Sequence, residues 1–224
     1  MKSLKVISFS LLFIFVIFSC KSDSKEKQLI DKEYNPHFIN QDETFPLAFR
    51  YTGIDSVDFM GTRFVCQDSL STVKHIEFLN PDTLEFVGDK SKMKNLKSIS
   101  FFAVRLKNLP KDLIDFENLE TLEITKSLKI KTFPNFICEL NKLKFLRFAW
   151  GWNLDSIPEC IGELTKLEYL DLARNNISHL PKSISNLKKL KMLILWDNPI
   201  SESELIEIKK LLPNTTIYFK TLPY

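Results

Sequence analysis

The chain has 224 residues, 44% of them hydrophobic and 26% charged, with nineteen Phe, five Gly and ten Pro. That composition describes an ordered protein of one or two domains and excludes a disordered or collagen-like chain. The formal net charge of +3 gives no argument for a nucleic-acid partner or an anionic membrane surface, and the Lys residues, scattered among Glu and Asp along the sequence, read as solvated surface.

The first element in the chain is a leader. Met1-Lys2-Ser3-Leu4-Lys5 supplies two positive charges, and Val6 to Phe18 is almost wholly apolar. As a helix that run reaches only about 20 Å, short of the ~30 Å hydrocarbon layer of a bilayer. Residues 1–19 therefore read as a secretory signal peptide. The boundary Ile17-Phe18-Ser19-Cys20 resembles a bacterial lipobox, with Phe18 bulkier than that pattern usually has. The resemblance implies that Cys20 becomes the first mature residue and carries lipid, on its thiol and on its freed amine. Two or three acyl chains hold a protein on a membrane, where one holds it only marginally. The other reading is ordinary cleavage with Cys20 incidental. Residues 20–29, with Lys21-Ser22-Asp23-Ser24-Lys25-Glu26-Lys27, form a polar tether. A lipid anchor implies the cell envelope of a Gram-negative bacterium, at the outer membrane, on its periplasmic or outer surface.

Residues 30–69 are expected to form an N-terminal cap. Within them "IDSVDFMGTRF", Ile54 to Phe64, has the pattern of a degenerate strand. From Leu70 the sequence becomes periodic. Equivalent starts fall at Leu70, Met93, Phe116, Leu140, Leu164 and Leu187. Apolar residues follow each start at the third, sixth and eighth positions, as in Leu167, Leu170 and Leu172. A second marker keeps the same phase: Leu109-Pro110, Phe133-Pro134, Ile157-Pro158 and Leu180-Pro181, each followed by apolar residues three and six positions on.

The sixth and eighth positions lie two apart and share one face of a strand. The Pro, with φ already set and no N–H to lose, can open a helical turn whose three-residue spacing keeps one stripe inward. Strand and turn thus grip one core from opposite sides. "LEYLDLARNNI" and "LKMLILWDNPI" carry the pattern L-x-x-L-x-L-x-x-N-x-L, and residues 70–200 resemble the leucine-rich repeat family. The resemblance implies an α/β solenoid, a horseshoe arc with a parallel concave sheet and short helical turns on the convex side. One repeat alone buries too little to offset its ordering entropy, so the coils must stack. It also implies that the amides of Asn175 and Asn198 turn inward to satisfy loop backbone. Earlier repeats have Pro81, Val104, Ser127 and Gly151 there. An extra residue in "AWGWNLDSI" is expected to distort the loop of the 140–163 repeat.

Residues 201–224 read as the second cap. Ser201 and Glu204 have capping-box spacing, Leu205, Ile208 and Leu212 form one helical stripe ended by Pro213, and "TTIYF" reads as an edge strand. After Cys20, three Cys remain, at 66, 138 and 160, with no CxxC pair, so neither a disulfide framework nor a zinc site is expected. Cys138 and Cys160 lie two positions apart in adjacent repeats, which leaves a bridge between them open.

Function is expected on the concave face. Its C-terminal half gathers Phe145, Tyr169 and Met192 in one column and Arg147, Asp171 and Ile194 in the next. Trp150, Arg174, Trp196 and Asp197 come after the strands. Aromatic and Arg residues favour interface centres, and an exposed apolar patch marks a contact site. The competing reading is that these aromatics shield the end of the sheet. The partner expected is a protein, with a glycan as the alternative, taken up by a monomer that meets the membrane only through its lipid. A scaffold subunit of an envelope complex is the second reading. No HExxH, GxSxG or phosphate loop is present and the three His are far apart, so no catalysis, cofactor or metal is expected.

Overall fold

The computed structural model describes residues 56–59, 63–66, 71–79, 82–151 and 153–219. The leader, Cys20, the tether, most of the N-terminal cap, Trp152 and residues 220–224 lie outside the described residues.

Ten strands are described: β1 (Ser56–Phe59), β2 (Arg63–Cys66), β3 (His75–Leu79), β4 (Glu85–Gly88), β5 (Ser98–Phe102), β6 (Thr121–Thr125), β7 (Phe145–Ala149), β8 (Tyr169–Asp171), β9 (Met192–Ile194) and β10 (Thr216–Tyr218). Eight form one parallel sheet in the order β1-β3-β5-β6-β7-β8-β9-β10. The register is locked in phase: Phe145 lies opposite Thr121 on one side and Tyr169 on the other, and Tyr169 lies opposite Met192. Strand alternation then sends every sixth- and eighth-position residue inward, so Leu122, Ile124, Leu146 and Leu193 are wholly buried. Phe78 stacks on Phe101 of the next coil, centroids 5.1 Å apart.

The return half of each coil is a 3₁₀ turn: Lys111–Asp115, Asn135–Glu139, Glu159–Glu163 and Lys182–Asn186, with a shorter one at Lys90–Met93. In the four turns that come after a Pro, that Pro sits one residue before the first helical position, in extended conformation, and offers its carbonyl. Ile184 N–H donates to Pro181 O at 3.1 Å, and Leu187 N–H to Ile184 O at 3.1 Å. The three-residue apolar spacing is therefore the true period of this element, three residues per turn.

The loops between strand and 3₁₀ turn depend on one conformation. One residue has positive φ in each of five successive coils, directly after β5, β6 and β7 at Ala103, Lys126 and Trp150 and three positions past β8 and β9 at Arg174 and Asp197, between 52° and 66°. The next residue points into the coil. Asn175 donates to Phe148 O at 2.7 Å and Leu172 O at 2.9 Å, and Asn198 to Leu172 O at 2.8 Å and Leu195 O at 3.1 Å. Asn198 Oδ1 also accepts from Ile177 N–H, whereas Asn175 Oδ1 has no partner. That oxygen lies beside Gly151, in the loop of the 140–163 repeat that carries the extra residue. The 116–139 repeat carries the same insertion, and there Leu128 is pushed out, 64% exposed.

The open bridge is made. Cys138 and Cys160 form a disulfide across two neighbouring 3₁₀ turns, Cα atoms 5.7 Å apart. Closing that span stabilises by about 3 kcal/mol in the chain-entropy picture. At the N-terminal end β1 extends the main sheet, Ser56 opposite His75. A second parallel pair, β2 with β4, runs behind it, and Gly88 at φ 90° is required there, since a Cβ would lie 2.7 Å from Cys66 O. At the other end α1 (Glu202–Leu211) is capped by Ser201 Oγ, which accepts from Glu204 N–H at 3.1 Å. The capping box is not reciprocal: the Glu204 carboxylate instead accepts from Leu180 N–H of the preceding coil at 3.1 Å, tying the cap to the solenoid. Ile208 and Leu212 are buried as the stripe requires.

Asn175→Ala takes the amide donor from Phe148 O and leaves Leu172 O to Asn198 alone, and is expected to cost about 1–3 kcal/mol in urea unfolding, while Leu128→Lys leaves the midpoint unchanged. Equal effects of the two would contradict the loop assignment.

Candidate functional site

The concave face is built from three rows of outward side chains set by the register. One row runs His75, Ser98, Thr121, Phe145, Tyr169, Met192 and Thr216; the next runs Glu77, Ser100, Glu123, Arg147, Asp171, Ile194 and Tyr218. The third holds Leu79, Phe102, Thr125, Ala149 and Ala173, and Trp196 continues it past the end of β9. All ten expected residues lie on or beside this face. Phe145, Tyr169 and Met192 share the first row, Arg147, Asp171 and Ile194 the second, Trp196 continues the third, and Trp150, Arg174 and Asp197 stand at the positive-φ corners.

Their exposure is not as expected. Phe145 is 5% exposed, Met192 8% and Ile194 6%; Arg147 and Asp171 are buried too. Strands less than 5 Å apart force each long side chain against its row neighbours. What forms is a second hydrophobic cluster, separate from the core: Ala149, Ala173, Met192 and Ile194, with Trp150, Tyr169, Trp196 and Tyr218 packed against it and half-exposed. The small Ala149 and Ala173 make room for the rings around them. Trp196 meets Tyr218 edge-on at 6.1 Å, and Phe145 lies 6.0 Å from Tyr169. Tyr218, on the cap strand, belongs to the site although the sequence pattern marked it only as edge strand.

The charged members pair across strands. Arg147 Nη1 donates to Glu123 Oε2 and its Nε to Asp171 Oδ2, both at 2.8 Å, with all three residues less than 10% exposed. Asp171 Oδ1 accepts from Ala173 N–H. Glu123 was not among the expected site residues, yet its column with Arg147 was readable in the sequence. Arg174 Nε donates to Asp197 Oδ2 at 2.9 Å while its guanidinium lies 4.0 Å from the centre of the Trp150 ring. The depression between Phe145, Arg147, Tyr169, Asp171, Met192 and Ile194 measures about 10 Å³, space for one water. This part of the face can therefore engage a partner only across its surface. Among the described residues no three His, Cys, Asp or Glu side chains gather as metal ligands, and no helix is long and apolar enough to cross a membrane.

Burial pushes the Glu123 carboxyl above the usual carboxylate range; Arg147 opposes this and Asp171 adds to it. Since the folded pKa lies above the unfolded one, the native state holds the extra proton between them. Stability from this group is full below the unfolded pKa and falls as pH rises through the folded one. Replacing Glu123 by Gln should remove that fall, seen as a difference in urea midpoint from wild type that grows from acid to neutral pH. Arg147→Ala leaves two buried carboxylates uncompensated and is expected to cost about 3–5 kcal/mol at neutral pH. An Arg147→Ala loss no larger than that of Glu123→Gln would contradict the shared guanidinium.

Residues 153–200 match the family described as leucine rich repeat. None of the curated proteins compared matches the chain. Among solved structures, a leucine-rich-repeat protein of Leptospira interrogans is similar over 68% of this chain and 50% of its own, at 24% identity and a TM-score of 0.53. An internalin of Listeria monocytogenes is similar over 75% and 48%, at 18% and 0.51. Human 5T4, a trophoblast glycoprotein, is similar over 69% and 62%, at 16% and 0.54. The chain thus spans about half the length of the two bacterial proteins. At these identities the likeness concerns the fold. Coil geometry, repeat phase and these matches together make the described residues a leucine-rich-repeat solenoid.

Proposed function

We propose that the chain is a protein-recognition module that takes its partner on the C-terminal half of the concave face. The observation that carries this reading is the second hydrophobic cluster, which lies outside the core and ends in the half-exposed rings of Trp150, Tyr169, Trp196 and Tyr218. Such side chains, bordered here by Arg174 and Asp197, are the residue types on which binding energy concentrates. Phe145, Met192, Ile194, Arg147 and Asp171 lie beneath as the packed floor that holds them rigid. Leucine-rich repeats serve generally as protein-interaction modules, which supports the reading.

In the same proposal Cys20 carries a lipid anchor, the tether spaces the solenoid from the bilayer, and the protein resides in a bacterial envelope at the outer membrane. The Cys138–Cys160 bridge supports an oxidising compartment outside the cytosol.

A photo-crosslinking residue placed at Tyr169 should capture a discrete polypeptide in intact cells, and the same residue at Lys182, on the convex turn, should not. Trp196→Ala should abolish capture without lowering the melting temperature. Capture equal from both positions, or unfolding of Trp196→Ala, would assign the aromatics to end-shielding and favour the scaffold role.

A further inference from the structure

The lysines that look scattered along the sequence are gathered by the coil. From each repeat start the chain climbs into its strand across one rim of the sheet, where the first, second and fourth residues point outward and the third enters the core. The fourth residues are Lys74, Lys97, Glu120, Lys144, Glu168 and Lys191. They stack in one line: Lys97 N–H donates to Lys74 O, Glu120 to Lys97, Lys144 to Glu120, Glu168 to Lys144 and Lys191 to Glu168, each at 2.8 Å. Lys142, Lys166 and Lys189 occupy second positions, and Lys94 and Lys188 first positions, all five exposed. Glu120 is bracketed by Lys97 at 2.6 Å and Lys144 at 2.7 Å, and Glu168 takes Lys191 at 2.5 Å.

Across these three columns nine lysines stand against Glu117, Glu120 and Glu168, a balance of +6, while the whole sequence carries only +3. Asp115, Glu139 and Glu163 border these columns, one residue before the repeat starts at the ends of the convex turns, with Glu139 lining the same depression as Glu117 and Lys142, and β3 to β9 carry Glu77, Glu123 and Asp171 against Arg147. The remaining rim positions are Ser, Thr and Asn. The rim is thus a band in which cations outnumber acids, about 24 Å long at ~4.8 Å per strand, with no aromatic platform for bases and no apolar side chain to insert.

We propose that this rim docks on the anionic headgroups of a lipid bilayer. Ammonium groups in a line suit a flat anionic surface, each lysine adding roughly fivefold in affinity near such a surface. The choice of occupant rests on the anchor reading above: a lipidated Cys20 keeps the solenoid beside a bilayer at high effective concentration. Since the strands start at the rim and run away from it, docking stands the concave face upright and leaves its aromatic half open to a partner.

The test uses the full chain, purified from membranes with its own N-terminus and reinserted into vesicles of phosphatidylcholine alone or mixed with phosphatidylglycerol. Brief lysine acetylation is followed by mass spectrometry. Lys142, Lys166 and Lys189 should be labelled several-fold more slowly on the anionic vesicles, with Lys107 and Lys131, which come after the strands, unchanged, and high salt should erase the difference. The triple variant Lys142→Glu, Lys166→Glu, Lys189→Glu should restore full labelling of Lys94 and Lys188. Equal labelling on both vesicles, protection spread over Lys107 and Lys131, or equal protection by duplex DNA or polyglutamate added to neutral vesicles overturns the proposal. A chain that fails to float with phosphatidylcholine contradicts the anchor alone; the rim is then read from its binding to added phosphatidylglycerol vesicles.

Discussion

The structure depends on one constraint: every coil is completed by the coil beside it. A strand of three to five residues and a 3₁₀ turn bury one apolar stripe each, which is too little to hold a free segment of that length in order. The in-phase parallel ladder supplies what is missing. It pairs the backbone of each strand on both sides and stacks like residues, Phe78 on Phe101 and Leu146 beside Leu170, into a continuous core. The caps answer the same need at the ends, β1 on one side and α1 with β10 on the other.

That constraint also makes the surface. Because the register repeats without slipping, any residue type that recurs at one position of the repeat becomes a line on the outside. The Asn175 and Asn198 amides line the loop interior, the positive-φ corners line one edge, and the lysines line the opposite edge. Where the recurring residue changes along the line, neighbours of different chemistry are brought into contact. Glu123, Arg147 and Asp171 are twenty-four residues apart in sequence and adjacent in space. The concave site is therefore a product of repeat phase more than of any local motif.

Phase was legible in the sequence, and with it nearly all the fold. The leucine spacing located every strand from β3 to β9 except β4, and the apolar-Pro steps located the four turns from Lys111 onward. What the spacing carried poorly was contact across the rows. Alternation says that Phe145, Met192 and Ile194 face outward, but outward residues on a tight parallel sheet crowd one another, and these are buried. The Cys138–Cys160 bridge depends on how closely two convex turns approach, which spacing alone leaves undecided. The 24-residue length of the 116–139 repeat marks an extra residue there too, but length alone does not say that Leu128 is the residue turned outward. The pair β2 with β4 and the diversion of Glu204 to Leu180 have no periodic signal at all.

Coupling between coils is the central claim, and native-state hydrogen exchange around a cavity in the middle coil measures it most directly. With Leu146→Ala in β7, the account predicts that amides of β6 and β8 lose protection together with those of β7, the loss fading toward both caps. Loss confined to the 140–163 repeat, with β6 and β8 unchanged, would contradict it.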